Sequence, residues 1–287
     1  MKKIITLFFA AATVSAQAQT KVLDHAVVTT KTTIITPEGA DDAAPPPMAG
    51  PDGGEVRVMR FGGDGETKSV TTLKGNMVKT FTETDMSRTT VLRDNTKKMT
   101  TTLMEIMGKK TGFYASDEEQ EQMTKRMDSM MQSRNQNGNM NFRSNATVSS
   151  SISYVEETKK IAGINCKKAL VITAKQNGTK DTMIVWYAPD FKLQGITTTG
   201  GASGFGFGNF GNRVTSTTGL SDLAGFPMQY EVKMNRGRKM IVEVTKINID
   251  KEVADKEFDI PKDFEIKSMK EMQSGMGNFQ IRTDRGN

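Results

Sequence analysis

Residues 67–106 read TKSVTTLKGNMVKTFTETDMSRTTVLRDNTKKMTTTLMEI. Four segments of this stretch, 67–73, 76–84, 87–94 and 97–106, are rich in Thr, Val and Met. Residue types of this kind suit a pleated, half-buried surface. Only short Gly, Asp or Asn punctuation separates the segments, which is the spacing of hairpins. The stretch therefore reads as an antiparallel meander. EVRVMRF at 55–61, followed by the turn GGDGE, is expected to add a strand in front of it.

Strand-like segments resume after residue 150 as SISYVEE, CKKALVITA, DTMIVWYAP, FPMQYEVKM and KMIVEVTKINI. The run at 181–189 is apolar on both faces, which places it inside the sheet. The run at 226–234 alternates, so Phe226, Met228, Tyr230, Val232 and Met234 are expected to face one way. The turn between the last two segments is expected at Arg236-Gly237-Arg238. The count is about ten or eleven strands, more than a flat sheet holds without curling. A curled sheet can enclose a groove.

One helix interrupts the strands, at SDEEQEQMTKRMDSMMQSRNQ, residues 116–136. Ser116 and Glu119 have the spacing of a capping box. Asp117, Glu118, Glu119 and Glu121 favour the positive end of the helix dipole, and Lys125, Arg126 and Arg134 come later. Met123, Met127, Met130 and Met131 form one narrow stripe on it. Such a stripe is an ordinary packing face, an adaptable cover over a cavity, or a source of soft sulfur ligands for Cu(I). Met269, Met272 and Met276 offer a second set with the spacing the last reading needs.

The ends fix the compartment. Lys2 and Lys3 precede an apolar run, Ile4 to Val14, that is too short to span a bilayer. Ala16-Gln17-Ala18 has the small-x-small form of a cleavage site, so residues 1–18 are expected to be a signal peptide. No cysteine follows the cleavage region, so a lipid anchor has no thiol there, and the product is expected in the periplasm or outside the cell. The formal charge of +6 falls to about +4 without Lys2 and Lys3. That excess suits an acidic membrane surface weakly and argues little for nucleic acid. Residues 19–54 read as an N-terminal segment and a linker, PEGADDAAPPPMAGPDGG at 37–54 being rich in Pro and Gly. The remaining boundaries are a domain at 55–267 and a flexible tail at 268–287.

Catalytic motifs are weak. GFGNFG at 206–211 matches G-x-G-x-x-G, but the fingerprint needs a strand before it and a helix after it. The better reading is a Gly-Phe loop over 200–212. His25 is the sole histidine, so neither a His-based triad nor a zinc site can be assembled. Cys166, the sole cysteine, excludes an internal disulfide. It shares a strand face with Leu170 and Ile172, the setting of a buried inert thiol. Glu156 and Glu157 are adjacent on a strand and point apart, which makes no acid/base couple. The reading is no enzyme, no cofactor and no metal.

TKKIAGINCKKALV at 158–171, VWYAPDF at 185–191, LAGFPMQYEVKM at 223–234 and ADKEFDIPKDF at 254–264 occur in an order that resembles an exported bacterial family of unknown function. That family is assigned to the LolA-like superfamily of the periplasmic lipoprotein carrier. LKGNMVKT and TVLRDNTKKMTTTLM are similar to the strands these proteins place before their helical segment. The resemblance covers about residues 55–265. It implies a curved antiparallel half-barrel, with helices over a concave face that takes up acyl chains. It also implies an arginine on the sheet that latches the helical lid, for which Arg57, Arg60, Arg88 and Arg93 are all candidates. The expected function is binding or carrying a lipid, a lipoprotein or another apolar ligand. Met123, Met127, Met130, Met131, Trp186, Phe226, Met228 and Tyr230 are the expected contact residues. The alternative is a protein-interaction or envelope-stress sensing module with an envelope protein as partner, and the third reading is Cu(I) binding through methionines.

Overall fold

The computed structural model describes residues 20–37, 48–49, 55–56, 65–84, 87–123, 125, 129, 147–175, 178–194, 220–233 and 237–272. Its strands, in chain order, begin with β1 (Lys21–Leu23), β2 (His25–Ile35), β3 (Met48–Ala49) and β4 (Glu55–Val56). The meander follows as β5 (Gly65–Lys74), β6 (Met77–Glu83), β7 (Ser87–Asp94), β8 (Met99–Ile106) and β9 (Lys109–Ser116). Beyond the helix come β10 (Thr147–Ile161), β11 (Ile164–Lys175), β12 (Lys180–Ala188), β13 (Phe191–Leu193), β14 (Phe226–Lys233), β15 (Lys239–Asn248) and β16 (Glu265–Ser268).

Twelve strands form one sheet, in the order β10-β11-β12-β14-β15-β2-β5-β6-β7-β8-β9-β16. Its ladders are antiparallel except for β16, which runs parallel to β9. The sheet is open, with β10 and β16 at its edges, so the mainly β reading holds. The hairpin meander lies where the sequence puts it, and β12 is internal. Three features differ from expectation. β2 lies between β15 and β5 and joins the two halves, so the sheet domain begins well before residue 55. Glu55–Val56 pairs with β3 in a separate two-stranded sheet and is not the first strand of the meander. Ser268 ends β16, and residues 269–272 are helical, so regular structure continues into the expected tail.

The cross-strand registers define two faces. The front face carries Val28, Thr71, Thr80, Val91 and Thr102 as one row, each directly opposite the next. The back face carries a longer row through ten successive strands. It runs Lys168, Trp186, Gln229, Glu243, Lys31, Lys68, Glu83, Arg88, Glu105 and Lys110. Opposite charges alternate along much of it: Arg88 Nε lies 2.8 Å from Glu83, and Lys31 Nζ lies 2.8 Å from Glu66. Cross-strand neighbours of this kind stabilise a pairing, and directly opposed like charges oppose it. Lys31 and Lys68 are such a like pair, and Glu66 offsets them.

The segment from Lys251 to Ser268 crosses the back of β5–β9 as a strap. Lys74 meets Asp255 at 2.6 Å, Lys79 donates to the Glu257 carbonyl at 2.8 Å, and Lys110 meets Asp263 at 2.6 Å. The strap ends in β16, where Ile266 sits against Gly112. A Cβ on Gly112 would lie 2.8 Å from Leu103 Cδ2 and 3.3 Å from Ile266 Cγ1, so the missing side chain lets the strap approach β9.

Two buried cores fill the sheet. One, at its end, gathers Leu23, Cys166, Phe191, Phe226, Met228 and Val244 with Val28, Leu73 and Val78, so it reaches across β2 into β5 and β6. The other gathers Ala169, Val171, Met183, Val185, Tyr187, Tyr230, Val232 and Val242, with Leu220 and Leu223 from the loop before β14. That loop is held closely. A Cβ on Gly225 would fall 2.0 Å from the Ala188 carbonyl oxygen, and Ala224 N–H donates to Tyr154 Oη at 2.9 Å.

Candidate functional site

The helix leaves the sheet directly from the end of β9. Ser116 and Glu119 close the expected capping box: Ser116 N–H donates to Glu119 Oε2 at 3.0 Å, and Glu119 N–H donates to Ser116 Oγ at 3.2 Å. These bonds satisfy two of the donors a helix start leaves open. Glu119, Gln120 and Met123 are half-buried, while Glu118, Glu121 and Gln122 are exposed. Met123 therefore lies on the covered side of the helix. Met127, Met130 and Met131 lie outside the described residues.

The start of the helix is fastened to the front face by one arginine. Arg93 is opposite Val78 on β6 and Thr100 on β8, in the front-face register. Its Nη2 donates to Asp117 Oδ2 at 2.8 Å, Nη1 donates to Asp117 Oδ1, and Nε donates to Asn95 Oδ1 at 3.0 Å. Nη1 also reaches Thr100 Oγ1 at 3.3 Å. The arginine side chain is 14% exposed and that of Asp117 44%. The two parallel bonds match the fork of a guanidinium to a carboxylate. The Arg93 hydrogen bond holds the Asp117 carboxyl below its usual range, and Asp117 in turn raises Arg93. Of the four candidate arginines, Arg93 makes this contact. Arg88 pairs with Glu83 and Glu105 on the back face, and Arg57 and Arg60 lie outside the described residues.

The front face next to Arg93 is lined with hydroxyls. Thr30, Ser69, Thr71, Thr80, Thr82, Thr100 and Thr102 are all buried. They bond mainly to one another: Ser69 Oγ lies 2.9 Å from Thr82 Oγ1, and Thr71 Oγ1 lies 3.2 Å from Thr80 Oγ1. Hydroxyls paired in this way avoid the cost of an orphaned buried donor, and each leaves a methyl group on the surface for threonine. The sequence showed threonine in every segment of the meander, but the face on which the threonines gather depends on register.

The remaining expected contact residues do not form one surface. Phe226 and Met228 enter the end core, where the Phe226 ring stacks 5.6 Å from Phe191. Tyr230 enters the second core, and burial pushes its phenol above the usual range. A register shift between Trp186 and Tyr187, opposite Gln229 and Pro227, breaks the simple alternation across β14. A bulge of this kind re-aims the side chains around it. Trp186 lies on the face opposite Val185 and Tyr187, because successive strand side chains alternate. It packs against the end core, with Lys159 Nζ 5.1 Å and Lys168 Nζ 5.8 Å from its ring centre.

Cys166 is buried, and burial pushes its thiol up, away from the reactive thiolate. His25 pairs with Asp24 at 2.7 Å on the surface. The 206–211 loop lies outside the described residues. Among the described residues no three His, Cys, Asp or Glu side chains gather as a metal site, and no helix is long and apolar enough to cross a membrane.

No family model and no curated protein matches the chain. Solved structures with a similar sheet include PNGF-II, over 89% of this chain and 34% of that one, at 14% identity and a TM-score of 0.36. MucB aligns over 86% of this chain and 60% of its own, at 8% identity and a TM-score of 0.36. A LolA superfamily protein from Nitrosomonas europaea aligns over 83% and 91%, at 9% identity and a TM-score of 0.30. The solved structures that align with the chain thus include a LolA superfamily protein. The chain spans about a third of the PNGF-II chain and three fifths of the MucB chain.

Proposed function

We propose that this chain is a non-enzymatic envelope protein that binds an apolar ligand, such as a lipid or the acyl chains of a lipoprotein. The ligand would lie on the front face, beneath the helix that starts at Asp117. The bidentate contact from Arg93 to Asp117 is the observation that carries the reading. It fastens a Met-bearing helix to the sheet by polar contacts that can separate, whereas a helix meant only to complete a core is normally held by apolar packing. The wall beside the fastening supports the same reading. Small threonines with paired hydroxyls grip a covering helix less than leucines would, because each offers less apolar area. The signal-like sequence of residues 1–18 supports a place in the periplasm or beyond.

Delipidated mature chain, incubated with labelled phospholipid or acylated lipoprotein and then gel-filtered, is expected to retain the label. Arg93→Leu is expected to change the release rate by about tenfold, the equivalent of 1.4 kcal/mol. Failure of any envelope lipid or lipoprotein to co-elute would remove the proposal. One observation favours the polypeptide-binding alternative. Among the described residues, β10 is a fifteen-residue strand paired with β11 alone, an edge that suits an extended chain. Recovery of one envelope protein without lipid would select that alternative.

A further inference from the structure

The back face changes character at β11 and β12. From β15 to β9 its central row is charged and largely ion-paired. Over β11 and β12 the same face carries Leu170, Ile172, Ile184 and Trp186. Leu170 is directly opposite Ile184, and Lys168 is opposite Trp186. Ile184 is 42% exposed, the other three are half-buried, and the three aliphatic residues belong to neither core. Trp186 packs at the margin of the end core, and among the described residues Leu170, Ile172 and Ile184 beside it join no core.

Residues 147–188 hold six lysines against three acids. By strand alternation Lys159, Lys168 and Lys180 share the face of the patch, and Lys160, Lys167 and Lys175 take the other. Glu157 is committed to Lys168 at 2.9 Å and Asp181 to Lys175 at 2.5 Å, while Glu156 stands against the rest. Glu231, nearby on β14, is paired with Lys239 at 3.0 Å.

We propose that this patch docks on an anionic lipid bilayer surface. The indole edge and the aliphatic side chains would enter the headgroup region, and Lys159, Lys168 and Lys180, on the same face, would meet lipid phosphates. Tryptophan favours that depth because one end of its ring system is apolar and the other carries an N–H. Lysine can lay its stem along apolar surface while its ammonium stays in water, and each one near an anionic surface adds attraction. A protein partner fits less well, because lysine is depleted at protein interfaces. The proposal uses the back face and stands whether or not the front face holds lipid.

Trp186 is the only tryptophan in the chain, so its emission reports on the patch directly. Mature protein is mixed with phosphatidylglycerol–phosphatidylethanolamine vesicles, or with phosphatidylcholine vesicles, and vesicle-bound protein is separated by flotation. The expected result is a blue shift and co-flotation with the anionic vesicles only. Ile184→Ser, at an exposed position, and the double variant Lys159→Glu/Lys180→Glu are each expected to weaken binding at least about tenfold. Arg93→Leu is expected to leave flotation unchanged, which separates docking from uptake on the front face. Circular dichroism checks that each variant is folded. Absence of flotation at low salt, or binding that survives both patch variants, overturns the proposal.

Discussion

On one side of β2 the front face carries the buried hydroxyls of Ser69, Thr71, Thr80, Thr82, Thr100 and Thr102, beside Leu73, Val78 and Val91. On the other side it is built from Ala169, Val171, Met183, Val185, Tyr230 and Val242. Both halves are buried, and both use hairpins in direct register. The aliphatic half fills its interior with its own side chains, with Leu220 and Leu223 closing over it. The threonine half pairs hydroxyls across strands, and Arg93 beside it binds Asp117 at the start of the helix. The difference teaches where to look for a ligand. The contact residues expected on β14 are buried in the cores. On the proposed reading, the ligand lies instead in the neighbourhood of Arg93 and Met123.

The comparison can be tested by unequal damage. Tyr230→Ala empties a large volume in the aliphatic half and is expected to cost about 3–5 kcal/mol in denaturant unfolding. A cost under about 1 kcal/mol would show that this core is loosely filled. Exchanging the chemistries is a finer probe. Val185→Thr buries an unpaired hydroxyl among aliphatic groups, for an expected loss of about 1–3 kcal/mol. Thr71→Val strands the hydroxyl of Thr80 at about 1 kcal/mol, and adding Thr80→Val is expected to restore most of that loss. If the double variant is no better than the single one, the threonine wall is not held by paired hydroxyls.

The smallest effect concerns the fastening. The Asp117 carboxyl titrates lower in the folded protein than in an unfolded chain. Its contribution is therefore complete above the unfolded value of about 3.9 and is lost as the pH falls through the lower folded value. Asp117 is partly exposed, so solvent reduces the effect. The Met123 methyl resonance is expected to shift toward its free-helix position below about pH 4. Asp117→Asn is expected to abolish that pH dependence. A resonance that stays constant through this range would place the hold on the helix elsewhere.

Much of the architecture was legible because it is local. The meander, the hairpin at Gly237 and the capping box at Ser116 depend on residues within a few positions of one another. Cys166 is buried, as its apolar neighbours implied. The strap along the back and the place of β2 were not legible. HAVVTTKTTII is an ordinary strand sequence, and its partners lie about forty and two hundred residues away. The bulge opposite Trp186 was hidden for a related reason. Alternation within β14 says nothing about the register its neighbour imposes. Arg93 could not be told from Arg88, because each stands on β7 and only pairing reveals which face each one takes.

β2 has one further consequence, for the order of assembly. It lies near the start of the chain, yet one of its two ladders must wait for Lys239–Asn248. Closing so long a loop is slow, because chain entropy is lost before the pairing returns any stability. During synthesis, an early strand therefore keeps an unsatisfied hydrogen-bonding edge until residues 239–248 have emerged. A nascent or truncated chain ending before residue 239 is the form most prone to pair with a stranger.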